Sequence, residues 1–175
     1  MRIGVVSDTH RNKELLGTVV DWLQNRQKIA SLYHLGDDYG DVLDLADRSF
    51  QIVQIPGIYH PGYRDGSLPP TVMESVLGLS ILLSHSFEKD ITEEDKVRSD
   101  IILHGHTHRP ELVLEDGLLV MNPGHLKAPL DKNVPPSVGV LDIHERTVTA
   151  TIYNMNYEPI ESMELIRSET GLYRG

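Results

Sequence analysis

The apolar runs of this chain are short, and one after another they end in carboxylates and imidazoles. Ile3 to Ser7 gives way to Asp8-Thr9-His10, Ser31 to Leu35 to Gly36-Asp37-Asp38, a later run to His85, and Ile101 to Leu103 leads into Gly105-His106-Thr107-His108. A short apolar run bounded by turn-forming residues reads as a buried strand, so each motif stands where a strand stops. The motifs are far apart in sequence, and strands laid side by side bring them together. Acids and imidazoles gathered in this way are what a binuclear metal site needs.

The stretches between the motifs say how the strands are joined. From Glu14 to Gln27, Leu15, Leu16, Val19, Val20 and Leu23 recur at helical spacing, with Asn12 as the cap. A short helix is expected through Val42, Leu43, Leu45 and Ala46, then a third strand from Phe50 to Ile55. Strand, helix, strand, helix, strand predicts a parallel layer. Pro56 to Pro70 carries four prolines and three glycines and is expected to be an irregular excursion over the strand ends, where loops commonly hold substrate. Two strands joined near Gly78 are expected from Thr71 to Leu83, and one short exposed helix with a solvated, charged face from Glu88 to Ser99. Asp116-Gly117 predicts a hairpin between Glu111 and Met121. A second hairpin is centred on His144-Glu145-Arg146, and Glu158 to Ile166 reads as an edge strand open to pairing with a second copy. No repeat or shift of composition divides the chain, so one domain over residues 1–175 is expected, built as two facing sheets with helices outside them.

Composition narrows the chemistry. A chain of 175 residues can bury roughly two thirds of its unfolded surface, enough for one ordinary core. Without a single cysteine, disulfide frameworks and thiolate-held zinc or iron–sulfur sites are excluded, and a reducing cytoplasmic setting is expected. The apolar opening at Ile3 to Val6 is too short for a signal peptide. Val76 to Leu83 is broken by Gly78 and Ser80 and falls far below the ~20 residues of a membrane span. A formal net charge of −10 argues against a broad nucleic-acid surface, and against a nuclease. Two divalent cations would offset the acids locally, so a small phosphorylated substrate could still be drawn in.

Taken in order, Asp8-Thr9-His10, Gly36-Asp37, His85 and Gly105-His106-Thr107-His108 resemble the blocks of the calcineurin-like metallophosphoesterases. That family's pattern is Asp-x-His, Gly-Asp, Gly-Asn-His or Gly-Asn-Cys, a lone His, and Gly-His-x-His. Nearly the whole chain is covered. Its length and the closing Asn122-Pro123-Gly124 look most like the small bacterial and archaeal phosphodiesterases, a group that includes a eukaryotic retromer subunit which uses the fold mainly as a binding surface. The resemblance implies a four-layer αββα sandwich of two mixed sheets. It also implies a first metal held by Asp8, His10, Asp37 and His108. A second would be held by Asp37, His85, His106 and an asparagine of the third block. Hydrolysis would proceed by a hydroxide held between the two ions, with Asp37 bridging them. Mixed carboxylate and imidazole ligands suit manganese foremost, then iron, zinc or nickel.

The third block departs from the pattern. Pro56-Gly57-Ile58-Tyr59-His60 stands where Gly-Asn is expected, and Ile58 cannot ligate. In an extended segment His60 would return to the side of Ile58, which makes it a candidate for the missing ligand or for an acid near the leaving group. Arg11 and Asn12 could hydrogen-bond a bound phosphate, or simply begin a helix. Tyr59, Tyr63 and Arg64 could meet a leaving group, or pack on the surface. His34 is expected to be a hydrogen-bonded core residue and His144 exposed, while His125 could line the pocket or face solvent. The competing reading keeps the fold and the metal but makes the chain a protein-interaction module whose catalysis was weakened with the third block.

Overall fold

In the computed structural model, which describes Met1 to Gly175, three parallel strands open the fold: β1 (Arg2–Val6), β2 (Ser31–His34) and β3 (Gln51–Gln54). Helix α1 (Lys13–Trp22) crosses from the first to the second, capped by Asn12, whose side chain accepts the Leu15 N–H at 3.3 Å. The expected single helix to Gln27 is divided. From Leu23 to Gln27 it widens into a π turn, and both Lys28, at a left-handed φ of 55°, and Ile29 send their N–H groups back to the Leu23 carbonyl. That closure satisfies an orphan carbonyl and turns Ile29 into the core. A 3₁₀ helix (Tyr39–Leu45) links the second and third strands.

The chain then builds a second sheet from β4 (Thr71–Val76), β5 (Leu79–Ser84), β6 (Ile101–Leu103), β7 (Glu111–Glu115) and β8 (Leu118–Asn122), in the spatial order β4-β5-β6-β8-β7. It returns to the first sheet as β9 (Ser137–Ile143), β10 (Thr147–Asn154), β11 (Pro159–Ser168) and β12 (Gly171–Arg174), giving the order β12-β11-β10-β9-β1-β2-β3. Both sheets are mixed, because hairpins add antiparallel neighbours to the parallel strands. The tail that reads as an edge strand in sequence lies inside the sheet. Residues 168–171 reverse the chain, β12 pairs with β11, and the short β12 becomes the edge instead.

Alternation decides where the core sits. Ile3 and Val5 of β1, Ile81 and Leu83 of β5, Ile101 and Leu103 of β6 and Leu119 and Met121 of β8 point inward, in a cluster of 22 buried residues between the sheets. The opposite face of β1 and β2, through Val6 and Leu32, packs on Leu16, Val19, Val20 and Leu23 of the first helix in a second cluster of 13. At about 1.5–3 kcal/mol for each fully buried aliphatic side chain, the layer between the sheets is the larger contribution. The fourth layer is thin. Residues 88–99, expected to be one helix, form α3 (Phe87–Asp90) and α4 (Glu93–Arg98), separated by extended Ile91. The break is chemical: Thr92 and Asp95 exchange side-chain and backbone hydrogen bonds in a capping box that starts a new helix. The excursion from Pro56 to Pro70 holds one further turn, α2 (Pro61–Arg64), which lies over the strand ends beside the site. No helix is long and apolar enough to cross a membrane.

Candidate metal centre

Strand β1 stops at Val6, β2 at His34, β5 at Ser84 and β6 at Leu103, and the loops that follow carry the acids and imidazoles singled out in the sequence. Two of these loops use backbone that side chains rarely adopt. Asp8, His10, His106 and His108 all have positive φ, between 46° and 69°. Each such residue is strained by roughly 1–2 kcal/mol, and strain of this kind gathers at functional sites. The Gly105–His108 loop is thus not extended: left-handed turns at both histidines, rather than simple alternation, set the direction of the rings.

The side chains converge. Asp37 lies between two imidazoles, with Oδ2 at 2.9 Å from His10 Nε2 and Oδ1 at 2.9 Å from His85 Nε2. Asp8 Oδ1 is 3.1 Å from His108 Nε2, which is 3.2 Å from His10 Nε2. Asp8, His10, Asp37 and His108 each offer a donor atom within 4.8 Å of the other three. His106 closes the other side, its ring edge-on to His85 at 5.2 Å between centroids.

Two of these atoms test whether the residues fit a cation. Asp8 Oδ1 and His85 Nε2 are buried and lack a hydrogen-bond partner, although each has an opposite group at ion-pair distance. Each lies instead against another member of the cluster, His85 Nε2 against the Asp37 carboxylate and Asp8 Oδ1 against the His108 ring. Their other atoms are already satisfied: Asp8 Oδ2 accepts from Ser7 Oγ at 2.6 Å and from the His106 N–H at 3.0 Å, and His85 Nδ1 donates to the Leu35 carbonyl at 2.7 Å. A buried acceptor left open costs about 1–3 kcal/mol, and a divalent cation removes that cost. The donor set of carboxylates and neutral imidazoles fits such an ion.

The electrostatics point the same way. Burial pushes the Asp37 carboxyl up, but the imidazoles of His10 and His85 on either side outweigh it and hold it well below the usual carboxylate range. Burial lowers His85, yet Asp37 and Asp8 raise it above its ordinary value, and His108 is raised foremost by the Asp8 carboxylate beside it. His106, with burial and then His85 against it, is lowered. Imidazoles that attract protons on the face turned to a carboxylate are the ones a cation would take over, with release of those protons.

The third block is placed differently from an extended segment. The His60 N–H bonds back to the Gly57 carbonyl at 2.9 Å, so residues 57–60 form a turn that buries Ile58, exposes Tyr59 at 68% and sets His60 at the rim. Gly57 is required there, because a Cβ would collide with Asp37 Oδ1. His60 Nδ1 accepts the Gly62 N–H at 3.1 Å. His60, Tyr59, Arg11, Asp37, Asp38 and His10 line an open pocket of about 320 Å³. Arg11 is 85% exposed and pairs with Asp38 at 3.2 Å. Asn12 does not line this pocket: it caps α1 and donates to the Lys127 carbonyl at 3.1 Å. Arg64 sits over the Tyr59 ring at 5.7 Å, and Tyr63 donates to Asp90 at 2.6 Å, away from the pocket lining.

Other histidines and several unpredicted residues support the loops. His34 is buried and donates from Nε2 to Thr9 Oγ1 at 3.2 Å, and Thr9 in turn donates to Asp41, which also accepts the Arg11 N–H. His125 is buried, its ring 5.5 Å from that of His108, and His144 is exposed. Ser7, Asp41, Asn122 and Asp131 were not found from the sequence. Asn122 holds the Gly105–His108 loop through the Gly105 carbonyl and Thr107 Oγ1, both at 3.0 Å. Only its place in Asn122-Pro123-Gly124 hinted at a role, since a serine, asparagine or aspartate that acts across the fold carries no local pattern.

Residues 1–146 match a family model described as the calcineurin-like phosphoesterase superfamily domain. A search of curated proteins returns no match. Among solved structures, the phosphoesterase Yfce from E. coli superposes with a TM-score of 0.73 at 18% identity, over 93% of this chain and 98% of that one. An archaeal phosphodiesterase gives 0.68 at 18% identity, over 95% and 100%. Wild-type Vps29 from Entamoeba histolytica, complexed with zinc, gives 0.69 at 20% identity, over 95% and 99%. At these identities the likeness is one of fold.

Proposed function

The chain belongs to the calcineurin-like phosphoesterase superfamily, and from that premise we propose that it hydrolyses small phosphodiesters with the help of two divalent cations, manganese foremost. The observation that carries this reading is the pair of buried atoms without a hydrogen bond, Asp8 Oδ1 and His85 Nε2, packed against His108 and Asp37 of the same cluster. Asp8, His10, Asp37 and His108 would hold one ion, and Asp37, His85 and His106 the other. When bound, such a pair polarises phosphoryl oxygens and lowers the pKa of water toward neutrality.

The protein's own groups then bind and orient. Arg11, exposed at the rim, would reach a non-bridging phosphate oxygen, and Tyr59 would flank the leaving group. Asp38 beside Arg11 adds negative charge at the mouth, which favours a singly charged diester over a doubly charged monoester. His60 is the candidate acid. With Nδ1 accepting the Gly62 N–H, the proton of the neutral ring sits on Nε2, so His60 is held as a donor to a leaving oxygen rather than as a ligand. Asn12, occupied at the helix start, is at most a remote support for the phosphate. A small phosphorylated substrate and a cytoplasmic setting, without membrane or nucleic acid, complete the reading.

The second reading, a metal-holding interaction module, draws on buried Ile58 in the third block and on the likeness to Vps29. Hydrolysis of bis-p-nitrophenyl phosphate with added manganese separates the two. Turnover abolished by chelator and restored by metal is the expected result. Metal binding with no turnover of either bis-p-nitrophenyl or p-nitrophenyl phosphate would leave only the module.

A further inference from the structure

We propose that Asp131, held in place by Lys127, is the positioning residue that aims His108 at the metal, an assignment that rests on the metal-dependent reading above. Asp131 Oδ2 lies 2.6 Å from His108 Nδ1, and its other oxygen accepts from Lys127 Nζ at 2.7 Å. A carboxylate held by a lysine accepts and does not donate, so the imidazole proton resides on Nδ1 and the lone pair on Nε2. Nε2 is the atom turned toward Asp8 Oδ1 and His10 Nε2. Hydrogen bonding from the far nitrogen to a carboxylate fixes the tautomer and ring angle of a ligand histidine and raises its basicity.

The loop from His125 to Val134 is shaped for this presentation. Asp131 and Val134 exchange backbone hydrogen bonds at 3.0 and 2.8 Å around Lys132 and Asn133, whose φ values of 50° and 62° make a two-residue left-handed turn. The base of the loop is tied by His125, which donates from Nε2 to the Val134 carbonyl at 3.0 Å and accepts the Lys127 N–H at Nδ1. The carboxylate is mostly shielded, with 14% of its side chain exposed, so a pair with a surface lysine alone would not explain its burial against His108. None of the other candidate ligands has a carboxylate on its far nitrogen: His85 uses the Leu35 carbonyl instead.

The test is the affinity of the metal-free protein for zinc and cobalt, by calorimetry and by the visible spectrum of the cobalt form. Asp131→Ala is expected to weaken the tightest ion by about 10–100-fold, to alter the cobalt spectrum, and to leave the melting of the metal-free protein unchanged. Lys127→Met should act in the same direction by a smaller factor, and Asp131→Glu should recover part of the affinity. Wild-type affinity and spectrum in Asp131→Ala would overturn the assignment. So would a lower melting temperature with unchanged affinity, since Asp131 would then be a brace for the loop alone. If the wild-type protein takes up neither metal, the metal-centre reading falls with it, and that outcome is visible before any variant is made.

Discussion

Asp8 and His108 are each aimed by a second group, whereas on the side of His85 and His106 the third-block position that the family pattern gives to asparagine is the buried Ile58. The first side has four candidate ligands with donor atoms mutually within reach. The second has three, sharing Asp37 with the first, and the structure gives the His106 ring no hydrogen-bond partner to hold its angle, only an edge contact with His85. Ligand number and outer support both set metal affinity, so the two sides should differ as cation sites: one tight and preformed, the other weak and completed by substrate or solvent.

The largest expected effect comes from removing a ligand from each side in turn. His108→Ala should weaken the tight ion by more than about 100-fold, beyond what loss of an outer partner does. His106→Ala should leave one ion bound after gel filtration, as counted by elemental analysis. Equal loss of both ions in the two variants would break the comparison.

An effect of similar size concerns what stands behind the Asp8–His10 loop. His34 is buried there, and burial lowers its pKa to about 4, against about 6.5 in an unfolded chain. The unfolded state therefore binds a proton that the folded state refuses between those values. The stability this group contributes is present above pH 6.5 and lost as pH falls through 4, by about 3 kcal/mol in all. Urea unfolding of the wild type and of His34→Gln should diverge by that amount between pH 7 and 4. Parallel losses in the two proteins would show that His34 titrates normally.

The smallest and most specific test sharpens the weak side. Ile58→Asn places an amide where the family pattern has one, and should tighten the second ion by about 10-fold while the metal-free protein melts lower for want of a partner to the buried amide. Unchanged affinity would place residue 58 outside the coordination shell and return interest to His60.

Much of the architecture was legible because it depends on apolar runs, helical spacing and turn residues. Short apolar runs marked the strands that line the core, Asp116-Gly117 marked its hairpin, and Leu16, Val19, Val20 and Leu23 marked the buried face of α1. Boundaries that rest on caps were harder. The Thr92–Asp95 box that splits residues 88–99 has a local signature that a polar, featureless stretch concealed, and the reversal at 168–171 that moves the sheet edge to β12 has almost none.

The sequence by itself determined the supply of candidate ligands and their order: acids and imidazoles at the ends of four strands, no thiolate, and an isoleucine in one place where the family pattern has an amide. Only the tertiary structure decided their aim. Left-handed backbone at Asp8, His10, His106 and His108, the turn that carries Tyr59 and His60 to the rim, and the carboxylate of Asp131 behind His108 all arise from loops packed against one another. Periodicity encodes which face of an element is buried. The direction of a side chain in a loop is set by hydrogen bonds to partners tens of residues away, and no local pattern records those.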